Sequence, residues 1–241
     1  MLRRRLVGAH RSRQRARRLR AEAAGNWAYS RPALYDMDRK IDEFLPGHDG
    51  FFIEAGGNDG FRQSNTYHLE RRRSWRGLLV EPVPALAAEA RIERPHSAVV
   101  SAALVAEGYE EPTARIRYGG LMSVVCGARG DEAADEDWVM SGLVSGNLGL
   151  EDGYELDVPA RTLSEILDEI NAPEIDLLSL DVEGYEPQVL AGLDLDRHAP
   201  RFALIEVRDD LAHAEVRERL DDRYELVEMF SPFDAFYRRT A

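Results

Sequence analysis

The sequence predicts an α/β fold, and three observations support that prediction. Short apolar runs typical of buried strands alternate with segments of helical periodicity along most of the chain. The first of these runs is followed at once by the glycine-rich turn GGNDG, residues 56–60. Several runs also end at an acidic residue, as at Glu81 and Asp181. Open α/β sheets bind ligands at the carboxyl ends of their strands, so these turns and acids mark the expected site.

The predicted elements follow one another in a regular order. Core strands are expected from apolar runs at residues 51–55, 77–82, 96–101, 175–181 and 202–207. Helices are expected from helical spacing, a capping box and stop signals at residues 32–45 (ended by Pro46 and Gly47), 83–94, from Thr162 onward, 188–192 and 211–221. A final antiparallel pair is expected at residues 224–229 and 233–239.

One long segment, residues 126–153, has no strong periodicity and carries six glycines among acidic residues. Segments of this length without regular structure are usually functional or disordered. We expect a mobile flap that contains a small helix and faces the substrate, with Trp138 as an anchor.

Length and composition are typical of a globular protein that needs no covalent support. A chain of 241 residues can bury a core without disulfides or a structural metal. The single cysteine, Cys126, excludes an intrachain disulfide and a cysteine-cluster metal site. Only four residues of weak apolar character follow the first arginines, which argues against a signal peptide. No apolar run is long enough for a membrane-spanning helix, so we expect a cytoplasmic protein.

Charge divides the chain into two parts, a basic arm over residues 1–25 and one domain over residues 26–241. Residues 1–20 hold nine arginines and no acid, and the rest of the chain has 22 basic residues against 44 acidic ones. Such an acidic body should repel nucleic acid. For the arm, a solvated segment or marginal helix is favoured. Contact with an anionic membrane, with nucleic acid or with the acidic body is the alternative.

The glycine-rich turn and the strand before it supply the first candidate ligand contacts. Glycine permits positive φ and allows a ligand to approach the main chain closely. The expected contacts are Glu54, Gly56, Gly57, Asn58 and Gly60. A tight turn with no ligand is the alternative.

A polar triplet, Ser64, Asn65 and Thr66, stands where the next helix should begin. These residue types cap helices, and free N–H groups at a helix N-terminus bind carboxylates. The triplet is therefore a candidate site for a ligand carboxylate, with simple capping as the alternative.

The second and third strands end at further candidate contacts. Glu81 follows Gly60 by 21 residues, a spacing that places an acid to accept hydrogen bonds from two ribose hydroxyls. Pro82 comes directly after it, and Ser101 and Ala102 end the third strand, where a nucleobase would lie.

Taken together, three motifs resemble the FkbM family of S-adenosylmethionine-dependent methyltransferases. They are GGNDG at 56–60, VEP at 80–82 and SLDVEGYE at 179–186, and residues 64–67 and 75–77 fit a branch of the family. The resemblance covers about residues 50–210. It implies a class I methyltransferase sheet, Rossmann-like and mostly parallel, with seven strands and the last one reversed. It also implies S-adenosylmethionine as cofactor and O-methylation of a small-molecule or glycan acceptor, often a sugar or natural product.

Two other functions are weighed against this one. A nicotinamide-binding reductase needs Gly-x-Gly-x-x-Gly, but counting from Gly56 the chain has Asn58 and Phe61 at the other two glycine positions. The chain thus lacks the glycine pattern that binds the pyrophosphate of a dinucleotide, and the reductase is the weaker alternative. A non-catalytic module that keeps the fold and binds a partner through the arm is the other.

Two acids at strand ends are the candidate catalytic residues. Asp181 and Glu206 should end adjacent strands at one edge of the sheet, where their carboxylates could together hold Mg²⁺. Asp181 alone could instead act as the general base for an acceptor hydroxyl. The non-catalytic alternatives are that Asp181 caps the next helix and that Glu206 pairs with Arg208 or Arg201. Glu183 and Glu186 are assigned to the first turn of that helix, where acids are favoured.

Overall fold

The computed structural model describes residues 2–45, 47–147 and 152–240. Its strands, numbered in chain order, are β1 (Phe51–Ala55), β2 (Arg76–Val80), β3 (Ala98–Val100), β4 (Ala103–Leu104), β5 (Thr113–Tyr118), β6 (Val124–Val125), β7 (Tyr154–Arg161), β8 (Leu177–Leu180), β9 (Phe202–Glu206), β10 (Tyr224–Met229) and β11 (Asp234–Arg239). Its α-helices are α1 (Leu2–Ala23), α2 (Met37–Phe44), α3 (Tyr67–Arg73), α4 (Pro84–Glu93), α5 (Glu132–Asn147), α6 (Leu163–Glu169), α7 (Glu186–Ala191), α8 (Leu195–His198) and α9 (Asp210–Leu220).

The main sheet has seven strands in the order β10-β11-β9-β8-β1-β2-β3. Strands β3, β2, β1, β8 and β9 run parallel to one another, whereas β11 is antiparallel to both β9 and β10. This confirms the predicted α/β sheet, mostly parallel with the last strand reversed. Every residue of β8 and β9 is buried, as expected for central strands covered on both faces.

The core lies on both faces of this sheet because successive strand residues point to opposite sides. On one face, Ile53, Leu178 and Ile205 pack against helices α6, α7 and α9. On the other, Phe52 and Leu177 pack among the apolar residues of α2 and Trp75. The carboxyl ends of β1, β2, β8 and β9 are left uncovered by these layers, which positions a site at that edge.

The first predicted helix is shorter than expected. A helix was expected over residues 32–45, but a 3-10 turn occupies Leu34–Asp36 and α2 begins at Met37. The interruption has a backbone cause, since Tyr35 and Asp36 both adopt the left-handed conformation, with φ of 51° and 55°. The helix ends at Phe44, and Pro46 of the predicted stop signal lies outside the described residues.

A smaller sheet, in the order β4-β7-β5-β6, stands beside the main one. The predicted flap, residues 126–153, contains helix α5, which packs against this smaller sheet. At 16 residues, α5 is much longer than the small helix expected there. Val139 and Leu143 of α5 are buried against the apolar residues of β5. Residues 148–151 of the flap lie outside the described part of the chain.

The basic arm forms α1, and its second half packs on the body. Arg18 is 4% exposed; it pairs with Glu93 of α4, and its Nε donates to the Tyr67 hydroxyl at 2.9 Å. Glu22 accepts from the same hydroxyl at 2.9 Å and from Arg71 at 2.8 Å. The favoured expectation of a solvated arm is therefore wrong for this half, and contact with the acidic body is what the structure shows. In the described part of the chain, no helix has the length and apolar character needed to cross a bilayer.

Candidate active site

A cleft at the carboxyl ends of β1, β2 and β8 brings together most of the predicted contacts. The predicted residues that line it are Glu54, Gly56, Gly57, Asn58, Ser64, Asn65, Glu81, Pro82, Ala102 and Asp181. Sequence reasoning missed Gln63, which also lines the cleft and has a left-handed backbone with φ of 57°. We call this space the cofactor cleft.

Gly56 explains why three strand ends can meet there. It has φ of +85°, and a Cβ atom at this position would lie 1.9 Å from the main-chain oxygen of Asp181. Its N–H and that of Gly57 both donate to the Val80 carbonyl, at 3.0 and 3.1 Å. The turn after β1 is thus fastened to β2 while it passes against the end of β8, which only glycine permits.

Glu54 is the centre of a buried polar network. Its carboxylate accepts from Ser64 Oγ at 2.9 Å, Thr66 Oγ1 at 2.6 Å and the main-chain N–H of Asn65 at 2.9 Å. The fully buried Arg94 donates to Glu54 at 3.1 Å and to Glu70 at 2.8 Å. We call these residues the Glu54–Arg94 network. It fixes the polar triplet in place, so Glu54 shapes the cleft through its neighbours.

Three predicted contacts do not line the cofactor cleft. Thr66 is fully buried and donates to Glu54, while Ser64 caps α3 by accepting from the N–H of Tyr67 at 3.0 Å. Gly60 packs on α4, where a Cβ would lie 3.0 Å from Ala90 Cα. Ser101 donates to the Pro82 carbonyl at 3.5 Å. Thr66, Gly60 and Ser101 support the walls of the cleft from behind.

Asn65 lines the cleft and has one acceptor atom without a partner. Its Nδ2 donates to Ser179 Oγ at 3.0 Å, but its buried Oδ1 has no hydrogen-bond partner among the described residues. A buried polar atom without a partner is costly, so such an atom in a cleft suits a ligand donor. An amino group of a ligand is such a donor.

Glu81 is held at the end of β2 by two main-chain N–H groups. It accepts from Asn58 and Val83 at 2.8 Å each. Burial raises the pKa of Glu81 to about 7, against these two hydrogen bonds, which lower it. Two of roughly four carboxylate lone-pair positions are used, so the others remain for ligand hydroxyls.

Three carboxylates meet beside the cleft. Single oxygens of Asp181, Glu183 and Glu206 lie within 4.8 Å of one another. Asp181 and Glu206 meet because β8 and β9 are parallel neighbours in register, as the sequence predicts. Of the two acids predicted for the first turn of the next helix, Glu186 lies there and accepts from the N–H of Val182 at 2.9 Å, whereas Glu183 precedes the helix and joins Asp181 and Glu206. We call Asp181, Glu183 and Glu206 the carboxylate cluster.

The carboxylate cluster is short of positive charge. Burial and mutual repulsion raise the pKa of all three acids, for Asp181 to about 7. Asp181 faces the open cleft, but the protein atoms around it remove much of its hydration. Arg208 donates to Glu206 twice, at 2.8 and 2.6 Å, which matches one predicted alternative, whereas Arg201 pairs with Asp176. One guanidinium against three carboxyls leaves the cluster open to a cation or to hydrogen-bond donors.

Trp138 connects α5 to this cluster. Its Nε1 donates to Glu183 at 3.1 Å. Its ring contacts two guanidinium groups, with Arg129 at 4.0 Å and Arg208 at 4.6 Å from the centroid. Trp138 is thus an anchor, as expected, and its partner is a member of the carboxylate cluster.

Comparison with known families agrees with this geometry. The model of the methyltransferase FkbM domain matches residues 54–226, which include the cofactor cleft and the carboxylate cluster. The chain belongs to the FkbM methyltransferase family. Membership implies S-adenosylmethionine as the methyl donor. The unpartnered Asn65 acceptor and the free lone pairs of Glu81 fit the amino and ribose groups of that molecule.

This FkbM family member is similar to several solved structures at low sequence identity. One is a methyltransferase FkbM from Methylobacillus flagellatus, 14% identical with a TM-score of 0.46, over 79% of this chain and 43% of that one. Another is a TehB-like SAM-dependent methyltransferase from Corynebacterium glutamicum, 17% identical with a TM-score of 0.43, over 97% and 100% of the two chains. No curated protein matches the chain.

Proposed function

We propose that this protein is an S-adenosylmethionine-dependent O-methyltransferase that acts on a hydroxyl of a sugar, glycan or other natural product. One observation carries the proposal. Asp181 and Glu183 line both the cofactor cleft and a second cavity beside it, so a carboxyl that can take a proton stands between two binding spaces. We call the second space the acceptor cavity.

The residues of the cofactor cleft have separate roles in this proposal. Asn65 Oδ1 accepts from the amino group of the methyl donor, and Glu81 accepts from its ribose hydroxyls. Ala102 and Pro82 line the part of the cleft next to Glu81, where the base would lie. When bound, S-adenosylmethionine supplies an electrophilic methyl group.

Asp181 is the proposed general base. An alcohol is a weak nucleophile until its proton leaves, and a base works best when its pKa lies near the working pH. Burial raises the pKa of Asp181 to about 7, with the charges of Glu186 and Asp234 acting in the same direction. Asp181 therefore exchanges a proton near neutrality, whereas an ordinary aspartate would be too weak a base.

As the alternative to Asp181 acting alone as the base, we propose that the carboxylate cluster holds Mg²⁺, with Asp181 and Glu206 as ligands and Glu183 as a third. Carboxylate oxygens are the ligands that Mg²⁺ prefers, and the three oxygens lie within 4.8 Å of one another. A bound cation would supply Lewis acidity at the acceptor oxygen. Chelator-treated enzyme should lose activity and regain it with Mg²⁺. Full activity after chelation would reject the metal and leave Asp181 as the base.

Calorimetry tests the cofactor half of the proposal. S-adenosylmethionine and S-adenosylhomocysteine should both bind, and Glu81→Gln should raise the Kd about tenfold or more because hydrogen bonds to a charged acceptor are lost. Glu107→Gln, a change at an exposed acid outside the cleft, is the matched control. Binding of NADH in place of these ligands would favour the reductase.

Product analysis tests the catalytic half. Mass spectrometry after incubation with neutral glycosides and polyketide-like alcohols should find a methyl ether and S-adenosylhomocysteine in equal amounts. Tight cofactor binding with no methylated product from any hydroxyl, but with a partner bound through α1, would favour the non-catalytic module.

A further inference from the structure

The acceptor cavity is built partly by segments outside the region that the family model matches, which supply five of its fourteen lining residues. It shares Gln63, Asn65 and Asp181 with the cofactor cleft, so the two spaces are adjacent. Its remaining wall includes Leu34 and Tyr35, which precede residue 54, and Phe233, which follows residue 226.

This wall is apolar and open to solvent. Leu34 is 46% exposed, Tyr35 56% and Phe233 38%, and the three side chains line one cavity together. Phe233 also lies 5.4 Å from the Arg208 guanidinium, which brings it beside the carboxylate cluster. An apolar surface that continues into a reactive site is best explained by the ligand that covers it during the reaction.

The backbone at Tyr35 is strained, which supports a functional role. Tyr35 and Asp36 are consecutive left-handed residues, and each costs about 1–2 kcal/mol for a side chain other than glycine. Neighbouring contacts hold them there: Arg31 pairs with Asp42 of α2, and Met37 is buried. Strain of this kind persists at binding sites because the surrounding structure fixes it.

Charge restricts what the cavity can take. It is lined by the carboxylate cluster and by Asp234, and Arg208 is the one cation among the described residues that line it. Two nitrogens of that guanidinium, Nε and Nη2, already donate to Glu206. Before any metal binds, an anionic acceptor would therefore meet the ionised members of four carboxyls with this one shared guanidinium to offset them.

We propose that Tyr35 and Phe233 form the specificity-determining wall of the acceptor site, and that this wall selects an uncharged, ring-bearing alcohol over an anionic one. The inference rests on the proposed function, because the cavity is an acceptor site only if the neighbouring cleft binds the methyl donor. The ring face packs on Tyr35 or Phe233 while a hydroxyl faces Asp181.

Two matched probes test the proposal by saturation-transfer NMR on chelator-treated protein saturated with S-adenosylhomocysteine. They are phenyl β-D-glucopyranoside, which is neutral, and phenyl β-D-glucuronide, which differs by one carboxylate. We expect the glucoside to bind and the glucuronide to bind at least about tenfold more weakly, since like charges repel across the cavity. Tyr35→Ala should weaken glucoside binding about three- to tenfold, the range of a lost aromatic contact.

Tyr29→Ala is the control, because Tyr29 is also an exposed tyrosine, at 46%, but its hydroxyl accepts from Arg17 and it does not line the cavity. A second variant, Tyr35→Gly, relieves the left-handed strain, so it should lose the glucoside while its thermal unfolding temperature is kept or raised. Unchanged binding in both Tyr35 variants, equal binding of the two probes, or no glucoside binding to the wild type would each overturn the proposal.

The cofactor measurement separates two kinds of failure. If S-adenosylhomocysteine itself does not bind, the proposed function fails, and with it the reason for an acceptor site. If it binds with unchanged affinity in wild type and Tyr35→Ala while the probe results go against expectation, the wall alone is wrong.

Discussion

Two groups of acids at the same edge of the sheet have opposite surroundings. In the Glu54–Arg94 network, Glu54 receives three polar donors besides Arg94, and Arg94 also neutralises Glu70. In the carboxylate cluster, three acids share Arg208, and the pKa of each is raised. Since the strands that carry them are neighbours, position alone does not decide their roles. The number of hydrogen-bond donors and cations around each acid decides its role. An acid whose charge is compensated by such groups stabilises the fold, and an acid without them is free to react.

The largest expected effect comes from removing the cation of the compensated group. Arg94→Gln leaves Glu54 and Glu70 buried without a counter-charge, and we expect a loss of about 5 kcal/mol in the free energy of unfolding. Urea denaturation measures it. Arg201→Gln, which breaks an exposed pair with Asp176, should cost less than about 1 kcal/mol. Similar losses in the two variants would end the distinction between the two acid groups.

The reactive group should respond in the opposite way. Asp181→Asn removes the proposed base, so methyl transfer should fall about a thousandfold, within the usual range for such a base. Its stability should hold or rise, because one of three repelling carboxyls is gone. Single-turnover transfer and thermal unfolding are measured on the same sample. A variant that unfolds as readily as Arg94→Gln would place Asp181 among the structural acids.

The pH dependence of stability should show the same contrast. Burial raises the pKa of Glu183 and Glu206 above their unfolded values, so the folded protein keeps protons that the unfolded chain has released. Their contribution to the free energy of unfolding is therefore complete at low pH, and it is lost as pH rises from about 4.5 through the pKa values of the folded protein. We expect the free energy of unfolding to fall by at least about 1 kcal/mol between about pH 5 and pH 8. Asp181 should contribute less to this fall than Glu183 and Glu206 because it faces solvent.

Glu206→Gln provides the control for that profile. It removes one titrating group from the carboxylate cluster, so the slope of unfolding free energy against pH should become shallower. Added Mg²⁺ should flatten the wild-type slope in the same way, since a cation binds the deprotonated acids. An identical slope in Glu206→Gln and wild type would show that other groups cause it.

The smallest effect is expected at Trp138. Trp138→Phe keeps an aromatic ring beside Arg129 and Arg208 but removes the hydrogen bond to Glu183, at a cost of about 1 kcal/mol. Because that hydrogen bond lowers the pKa of Glu183, its loss should raise the pKa further, as seen in a carbon-13 NMR titration of the side chain. A downward shift would mean that Trp138 does not compensate this acid.

The sequence was most informative where one local pattern implied one geometry. Apolar runs located the central strands to within a few residues, and parallel pairing then placed Asp181 and Glu206 together. The capping box at Thr162 and Glu165 is present as predicted. These features depend on contacts along a strand or within one helical turn, which the sequence contains directly.

Features that depend on distant packing were not predictable. Arg94 ends a helix, where arginines are usually exposed, and no local signal indicates that it is buried between Glu54 and Glu70. The role of Glu183 depends on two successive positive φ angles, at Glu183 and Gly184. Gly184 was a usable signal for the second of these. The place of Tyr35 in the acceptor cavity depends on how the segment before β1 folds back, which periodicity does not show.

Strand β11 has a consequence for the order of assembly. Among the described residues, β10 joins the main sheet through β11 alone, and β11 lies between β10 and β9. During synthesis Tyr224–Met229 would emerge first and wait without a partner until Asp234–Arg239 inserts. Phe233 reaches the acceptor cavity with that insertion. A ribosome-bound chain halted shortly before β11 inserts would already have its cofactor cleft. It would lack the side of the acceptor cavity that Phe233 forms.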